Sequence, residues 1–143
     1  MIIDIPIEIL ELENNSYHII LSAKFDNRIF GNLIIDTGAS KTVFDSTFVE
    51  PFIINQKELN DANSSGINAM IPKTKMGTIP LISFRKLIIK NYSCITMDLS
   101  HVNKLYKVFS EKQIAGLLGS DFLVEHEAVI NFHQKKLTLN THF

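Results

Sequence analysis

The sequence is poor in the residues that mark several large classes of protein. Its 143 residues include a single cysteine, Cys94, which excludes an internal disulfide framework and a cysteine zinc site. No apolar run approaches the length of a membrane span, and the first residues lack the basic and apolar regions of a signal peptide. Lysine plus arginine (14) nearly balance aspartate plus glutamate (15), so charge favours neither nucleic acid nor an anionic membrane as a partner. The composition therefore indicates a globular protein, for which the cytoplasm is the expected location.

Alternation of apolar and polar residues in the first third of the chain predicts a mainly β fold. Isoleucines alternate with other residues from Ile3 to Ile9, the period of a strand with one buried face. No repeat or linker divides the chain, so we expect one domain over residues 1–143. Turn residues separate the predicted elements. Further strands are expected over 17–25, 29–35, 78–84, 87–97, 128–132 and 137–140, and helices over 47–49, 100–112 and from residue 120.

The most informative segment is Asp36-Thr37-Gly38-Ala39-Ser40, which follows the apolar run Leu33-Ile34-Ile35. It places a carboxylate where a strand ends, in a turn of small residues. Gly38 allows close approach of the backbone, and its N–H can point at a carboxylate. The Ser40 hydroxyl can donate to Asp36, and Thr37 can bond to the turn of a second copy.

A pair of carboxylates in contact supplies the chemistry of peptide hydrolysis. Like charges at this distance cannot both ionise, so the pair holds one proton. The ionised member takes a proton from water, while the protonated member hydrogen-bonds to the substrate carbonyl. Because the chain has one such turn, an enzyme of this kind would work as a pair of subunits.

Two other interpretations of the turn stay open at this point. Asp-Thr-Gly is suitable for turns in proteins of any function. Asp-x-Gly-x-Ser also resembles the phosphate loop of actin-like sugar kinases. Against a phosphotransferase, 143 residues are short for two domains around a nucleotide, and the P-loop and dinucleotide fingerprints are absent from the sequence.

A second motif about eighty residues downstream favours the first interpretation. Leu117-Leu118-Gly119 is an apolar–apolar–glycine element, and Ser120-Asp121-Phe122-Leu123 follows it as a predicted helix start. Together with the Asp36 turn and a closing hairpin, 129–132 and 136–139, these residues resemble single-domain retropepsin-like aspartic proteases, most closely their bacterial aspartyl protease relatives. In that family the apolar–glycine element passes behind the active-site turn.

The resemblance implies a closed barrel of mainly antiparallel strands with one or two short helices. It implies a homodimeric aspartic endopeptidase with catalytic Asp36 at the two-fold axis, a peptide or protein substrate, and no cofactor, metal, nucleic acid or membrane partner. It also implies a flap that closes over an extended peptide. Candidate flap or substrate-groove residues are Gly66, Ile67, Met70, Ile71 and Met76, for which a core position is the alternative.

Two features depart from the family pattern and motivate a second hypothesis. The segment from Ser64 to Gly77 has glycine only at Gly66 and Gly77, whereas retroviral flaps are rich in glycine. The predicted helix over 100–112 is also larger than a minimal retroviral enzyme needs. The chain could therefore be a catalytically silent peptide-binding or assembly module with the same barrel.

Several other side chains are expected to be structural. Asp121 is expected to cap the helix after Gly119, with a role in subunit pairing as the alternative. Asp45 is expected to be structural, and Cys94 to be a buried thiol rather than a nucleophile. The five histidines show no metal-binding spacing.

Overall fold

The computed structural model describes residues 1–59 and 74–142. Strands predominate in this part of the chain, which contains eleven strands and three helices. In chain order the elements are β1 (Ile2–Pro6), β2 (Glu8–Glu13), β3 (Ser16–Phe25), β4 (Ile29–Ile35), β5 (Val43–Asp45), α1 (Ser46–Val49), β6 (Ile54–Glu58), β7 (Lys75–Phe84), β8 (Leu87–Met97), α2 (Ser100–Phe109), β9 (Ile114–Leu118), α3 (Ser120–Glu125), β10 (Val129–Asn131) and β11 (Lys136–Asn140).

Six strands close into a barrel in the order β3, β4, β9, β5, β8, β7. Pairing of β3 with β7, in which Phe25 lies opposite Ile82, completes the ring. Most pairings are antiparallel, but β4 runs parallel to β9, and β5 runs parallel to β8. Closure leaves no free edge along these strands, so the barrel is a rigid frame for the turns at its ends. Strands β2 and β6 extend it by pairing with β3 and β7.

The two ends of the described chain form a separate small sheet. Its order is β1, β11, β10, so that the first strand lies against the last. Met1 and Thr141 reinforce this contact, because the terminal ammonium donates to the Thr141 carbonyl at 2.8 Å. One face of the sheet buries Ile3, Ile5 and Leu137 against the main core, while Asp4 and Thr138 occupy the other face.

Two groups of apolar side chains stabilise this arrangement. The larger lies within the barrel and beneath the small sheet, and the smaller lies outside the barrel, where α2 packs on strands β2, β3, β4 and β9 through Tyr106. Burial of apolar surface on this scale is the main driving force for folding. Members of the larger group include Phe25, Leu33, Phe44, Ile79, Phe84, Leu118 and Phe122, and the smaller group comprises Leu12, Ile20, Ile34, Tyr106 and Ile114.

The predicted mainly β, closed barrel is therefore what the structure contains, with differences in detail. The alternating run from Ile3 to Ile9 is two strands rather than one, because the Ile7 N–H donates to Lys135 and the chain then joins the barrel sheet. The helix expected over 100–112 ends at Phe109. Strand β6 was missed because all five of its residues are exposed and it lacks an alternating pattern.

Three helices lie in the described part of the chain, compared with the one or two expected for the family. None of these helices has both the length and the apolar character needed to cross a membrane. Cys94 is buried as expected, and burial raises the pKa of its thiol to about 12. The protonated thiol is a poor nucleophile, in agreement with a structural role.

His126 is an unusual member of the packing between α3 and the small sheet. It is 6% exposed, and its ring centroid lies 4.5 Å from that of Phe122, which in turn packs on Phe84. The His126 carbonyl accepts a hydrogen bond from the Asn140 N–H at 2.8 Å. Burial lowers the pKa of the imidazole, with an opposing effect from Glu125. The folded protein therefore favours neutral His126.

This burial predicts that stability falls as the pH is lowered. Above about pH 6.5, the ordinary value for histidine, His126 is neutral in both the folded and the unfolded chain and contributes no penalty. As the pH falls below that value the unfolded chain binds the proton first, so the free energy of unfolding decreases until the pH passes the lowered folded pKa. Replacement of His126 with Phe should remove this loss of stability at low pH, as measured by denaturant unfolding across the pH range. His133→Phe, in an exposed turn, should retain the pH dependence of the wild-type free energy of unfolding. The same pH dependence in all three proteins would contradict the prediction.

Candidate active site

Asp36 lies immediately after β4, at one end of the barrel. Its backbone N–H donates to the Leu118 carbonyl at 2.9 Å, and its own carbonyl accepts from the Ala39 N–H at 3.1 Å. The Gly38 N–H donates to Asp36 Oδ1 at 3.0 Å. The carboxylate is partly exposed. The turn therefore fixes one carboxylate oxygen and leaves the group accessible to a reacting molecule.

The apolar–glycine element lies beside this turn. Strand β9 runs parallel to β4, with Ile34 opposite Leu117 and Ile35 opposite Leu118. The parallel register brings the ends of both strands to the same place, so Asp36 and Gly119 leave the sheet together. Leu118 is buried and Leu117 is half-buried.

Gly119 packs directly on the backbone of the turn. A Cβ atom at this position would lie 2.6 Å from the carbonyl carbon of Lys41 and 2.8 Å from the carbonyl oxygen of Ala39. These neighbours are backbone atoms, which cannot rotate away, so only glycine permits this approach. The next residue continues the contact, because both the N–H and the hydroxyl of Ser120 donate to the Ala39 carbonyl, at 2.8 and 3.2 Å.

Thr42 and Asp121 form a second connection behind the turn. Asp121 Oδ1 accepts hydrogen bonds from the Thr42 N–H at 2.9 Å and from the Thr42 hydroxyl at 2.8 Å. The same hydroxyl accepts from the Gly119 N–H at 3.0 Å. Because Thr42 is 3% exposed, little water is available to replace these partners.

The role predicted for Asp121 was only partly right. Its carboxylate does accept from the Phe122 N–H, but Gly119 occupies the N-cap position and its main partner is Thr42. Nothing in the local sequence signals this contact, because the two residues are 79 positions apart. Asp45 is structural as expected, since its buried Oδ1 accepts from the Leu99 N–H.

The other predicted site residues differ in exposure, and some of them lie outside the described residues. Thr37 and Ser40 are exposed, and within the described chain Ser40 makes no side-chain hydrogen bond to Asp36. Met76 is half-buried on β7, opposite Lys57 of β6. The remaining candidate flap residues, Gly66, Ile67, Met70 and Ile71, lie outside the described residues.

A cavity of about 430 Å³ opens beside Asp36. Helix α2 forms one wall, and the strands β3 and β4 with Leu117 form the other. Helix α2 therefore lies beside the Asp36 carboxylate without burying it. Along α2 the cavity is lined by His101, Val102, Leu105 and Tyr106, and along the strands by Tyr17, His18, Ile19, Ile34 and Ile35.

A hydrogen bond connects α2 to the barrel at this wall. The hydroxyl of Tyr106 lies 2.5 Å from Nδ1 of His18, and the two rings pack edge to face. Burial raises the pKa of Tyr106 to about 12, so the phenol keeps its proton and can donate it to a ring nitrogen of His18 that carries none. The contact holds the helix wall at a fixed distance from β3.

Metal ligation has little support in this region. Over residues 1–59 and 74–142, no group of three or more histidine, cysteine or acidic side chains has the arrangement of a metal site.

Comparison with known families agrees with this geometry. The model of a family described as aspartyl protease matches residues 21–122, a segment that includes Asp36, Gly119 and Asp121. The chain belongs to the aspartyl protease family. A comparison with curated protein sequences found no match.

Two solved structures share the fold of this chain. A retropepsin-like aspartic protease from Rickettsia conorii is 18% identical with a TM-score of 0.55, and the alignment covers 97% of this chain and 88% of that one. A retroviral protease-like domain of Ddi1 from Leishmania major is 13% identical with a TM-score of 0.52, over 86% of this chain and 88% of that one. At these identities the likeness concerns the fold, and it confirms the retropepsin-like barrel predicted from the sequence.

The contact between Thr42 and Asp121 predicts that this carboxylate stabilises the fold around the Asp36 turn. Asp121→Ala leaves the buried N–H and hydroxyl of Thr42 without their acceptor, which should lower the free energy of unfolding by about 1–3 kcal/mol. Asp121→Asn retains an oxygen that can accept both bonds, so it should keep most of the stability. Urea unfolding of the three proteins tests this difference. An equal loss for Ala and Asn would show that the charge, rather than the acceptor geometry, matters.

Proposed function

We propose that this chain is an aspartic endopeptidase that acts as a homodimer, with a catalytic dyad made of two copies of Asp36. The observation that carries the proposal is the fixed, accessible carboxylate of Asp36 at the end of β4. The chain offers one such turn, and a dyad needs two carboxylates. A symmetric pair of subunits would supply the second across a two-fold axis.

The chemistry follows from the proximity of two such carboxylates. They would share one proton, because two negative charges in contact are strongly unfavourable. The ionised oxygen would take a proton from the attacking water, and the protonated group would donate to the carbonyl oxygen of the peptide. The Gly38 N–H, already bound to Asp36 Oδ1, would help to orient the carboxylate during both steps.

The surroundings of Asp36 support a peptide as the substrate. The cavity beside it is lined mainly by aliphatic side chains, which suit the apolar side chains of a bound peptide. Thr37 is exposed next to Asp36, where it is free to contact the turn of a partner subunit. Gly66, Ile67, Met70, Ile71 and Met76 are proposed to belong to a flap or substrate groove.

Substitution of Asp36 tests the proposal directly. Asp36→Asn removes the group that activates water and should reduce cleavage of a peptide library by at least about a hundredfold, while the fold is retained. Asp26→Asn is a matched control, because Asp26 is an exposed turn residue paired with Arg28. Cleavage that survives in Asp36→Asn would refute the proposal.

The mass in solution tests the dyad separately. Light scattering across a dilution series should give twice the 16.2 kDa of one chain. A monomer at every concentration, together with peptide binding but no cleavage, would instead favour the silent binding module.

The cavity wall on α2 provides a prediction about substrate preference. Leu105→Asp places a charge in the wall and should lower kcat/KM for peptides with a bulky apolar residue at the cleaved bond by roughly tenfold, since burying an apolar side chain contributes about 1.5–3 kcal/mol. Val108→Asp is the matched control, because Val108 is 73% exposed on the same helix and does not line the cavity. Equal effects of the two substitutions would show that the apolar side chain of the substrate does not bind in this cavity.

A further inference from the structure

Positive charge is concentrated around the turn between β7 and β8. The two residues of this turn are Arg85 and Lys86, and the strands beside it pair Phe84 with Leu87. Arg85 lines three neighbouring clefts. Six of the 14 basic residues of the chain line these clefts, together with two acidic residues. The basic residues are Lys24, Arg85, Lys86, Lys112, Lys135 and Lys136, and the acidic residues are Asp4 and Glu8.

Both acidic residues are already neutralised by partners. Glu8 forms an ion pair with Lys112 at 2.7 Å, and Asp4 forms one with Lys136 at 3.3 Å. Within the described part of the chain, no ion pair joins Arg85, Lys86 or Lys135 to a carboxylate. The chain as a whole has a net charge of −1, so this surface is locally positive on a slightly acidic protein.

Two of the basic residues, Arg85 and Lys135, have a left-handed backbone conformation that glycine, Asn and Asp adopt more easily. Eight described residues other than glycine have a left-handed φ, and five of them are Asn or Asp, which tolerate that conformation. Arg85 has φ +56° and Lys135 has φ +53°. Glycine would be favoured at both positions on backbone grounds alone. Two basic side chains are thus held at glycine-like positions on the same cleft.

The largest of the three clefts is lined in part by an edge strand. It has a volume of about 650 Å³ and includes Ile2, Ile3 and Asp4 of β1. Strand β1 pairs with β11 alone among the described strands, so its second edge is open. An open strand edge can hydrogen-bond to the backbone of an extended peptide. The cleft contains no aromatic side chain on which a nucleic acid base could stack.

We propose that the cleft between Arg85 and Lys135, here called the basic cleft, binds an extended acidic segment of a polypeptide. The open edge of β1 binds its backbone, and Arg85, Lys86 and Lys135 bind its carboxylates. The basic cleft shares no lining residue with the cavity beside Asp36, so it can act as a separate docking site for a substrate or another partner protein. The inference does not depend on proteolysis.

Binding of a fluorescein-labelled peptide of alternating glutamate and serine, measured by anisotropy on the full chain, tests this proposal. The matched peptide of alternating glutamine and serine should bind more weakly, and added salt should weaken binding of the acidic peptide, because the contacts are exposed charges. The double variant Arg85→Gly, Lys135→Gly should lose roughly tenfold in affinity. It should also keep or raise the melting temperature, since glycine suits both backbone positions. Lys57→Gln, which removes an exposed charge on β6, should bind as wild type.

Each contrary result overturns the proposal. Equal binding of both peptides, or of wild type and the double variant, would exclude carboxylate recognition at the basic cleft. Tighter binding of a single-stranded oligonucleotide that the double variant loses would assign the basic cleft to nucleic acid. A change in solution mass of the double variant would assign it to contact between subunits. None of these measurements requires cleavage, so failure of the proposed protease activity would be seen separately.

Discussion

The close contact between Gly119 and the turn after Asp36 is the constraint on which the candidate site depends. A side chain at residue 119 would overlap backbone atoms of Lys41 and Ala39, so the two segments can meet only because one of them is glycine. The meeting then allows a dense set of hydrogen bonds, from Ser120 to Ala39 and between Thr42 and Asp121. Backbone groups bonded in this way cannot shift independently. Asp36 is thereby held as part of the barrel although it lies in a turn.

The barrel carries two separate candidate recognition surfaces. The cavity beside Asp36 and α2 is one, and the basic cleft at the Arg85 turn is the other, with no lining residue in common. The barrel strands are closed into a ring and packed on a continuous core, which resists deformation. A rigid barrel can thus present two recognition surfaces whose separation is fixed, so that one segment of a protein could dock while another approaches Asp36.

The elements that could be predicted from the sequence are those with strong local signals. The fold and its family were indicated by the alternating run from Ile3 to Ile9 and by the motifs at 36–40 and 117–119. The solved structures confirm the fold, and the family match confirms the family. Strand β6 had no such signal, because exposed residues do not need to alternate. The break in the isoleucine run at Ile7 depended on a hydrogen bond to Lys135, a residue far along the chain. Local periodicity carries no information about such distant partners.

The sequence by itself determined the barrel family, the position of the candidate carboxylate and the need for glycine near it, because each is encoded in a short run of residues. Only the tertiary structure decided which groups support that carboxylate. Thr42 and Asp121 meet across 79 positions, and Tyr106 reaches His18 across 88. The tertiary structure also places Arg85 and Lys135, which belong to different turns, on one cleft. These contacts depend on strand order and register, since closure of the sheet places distant residues side by side.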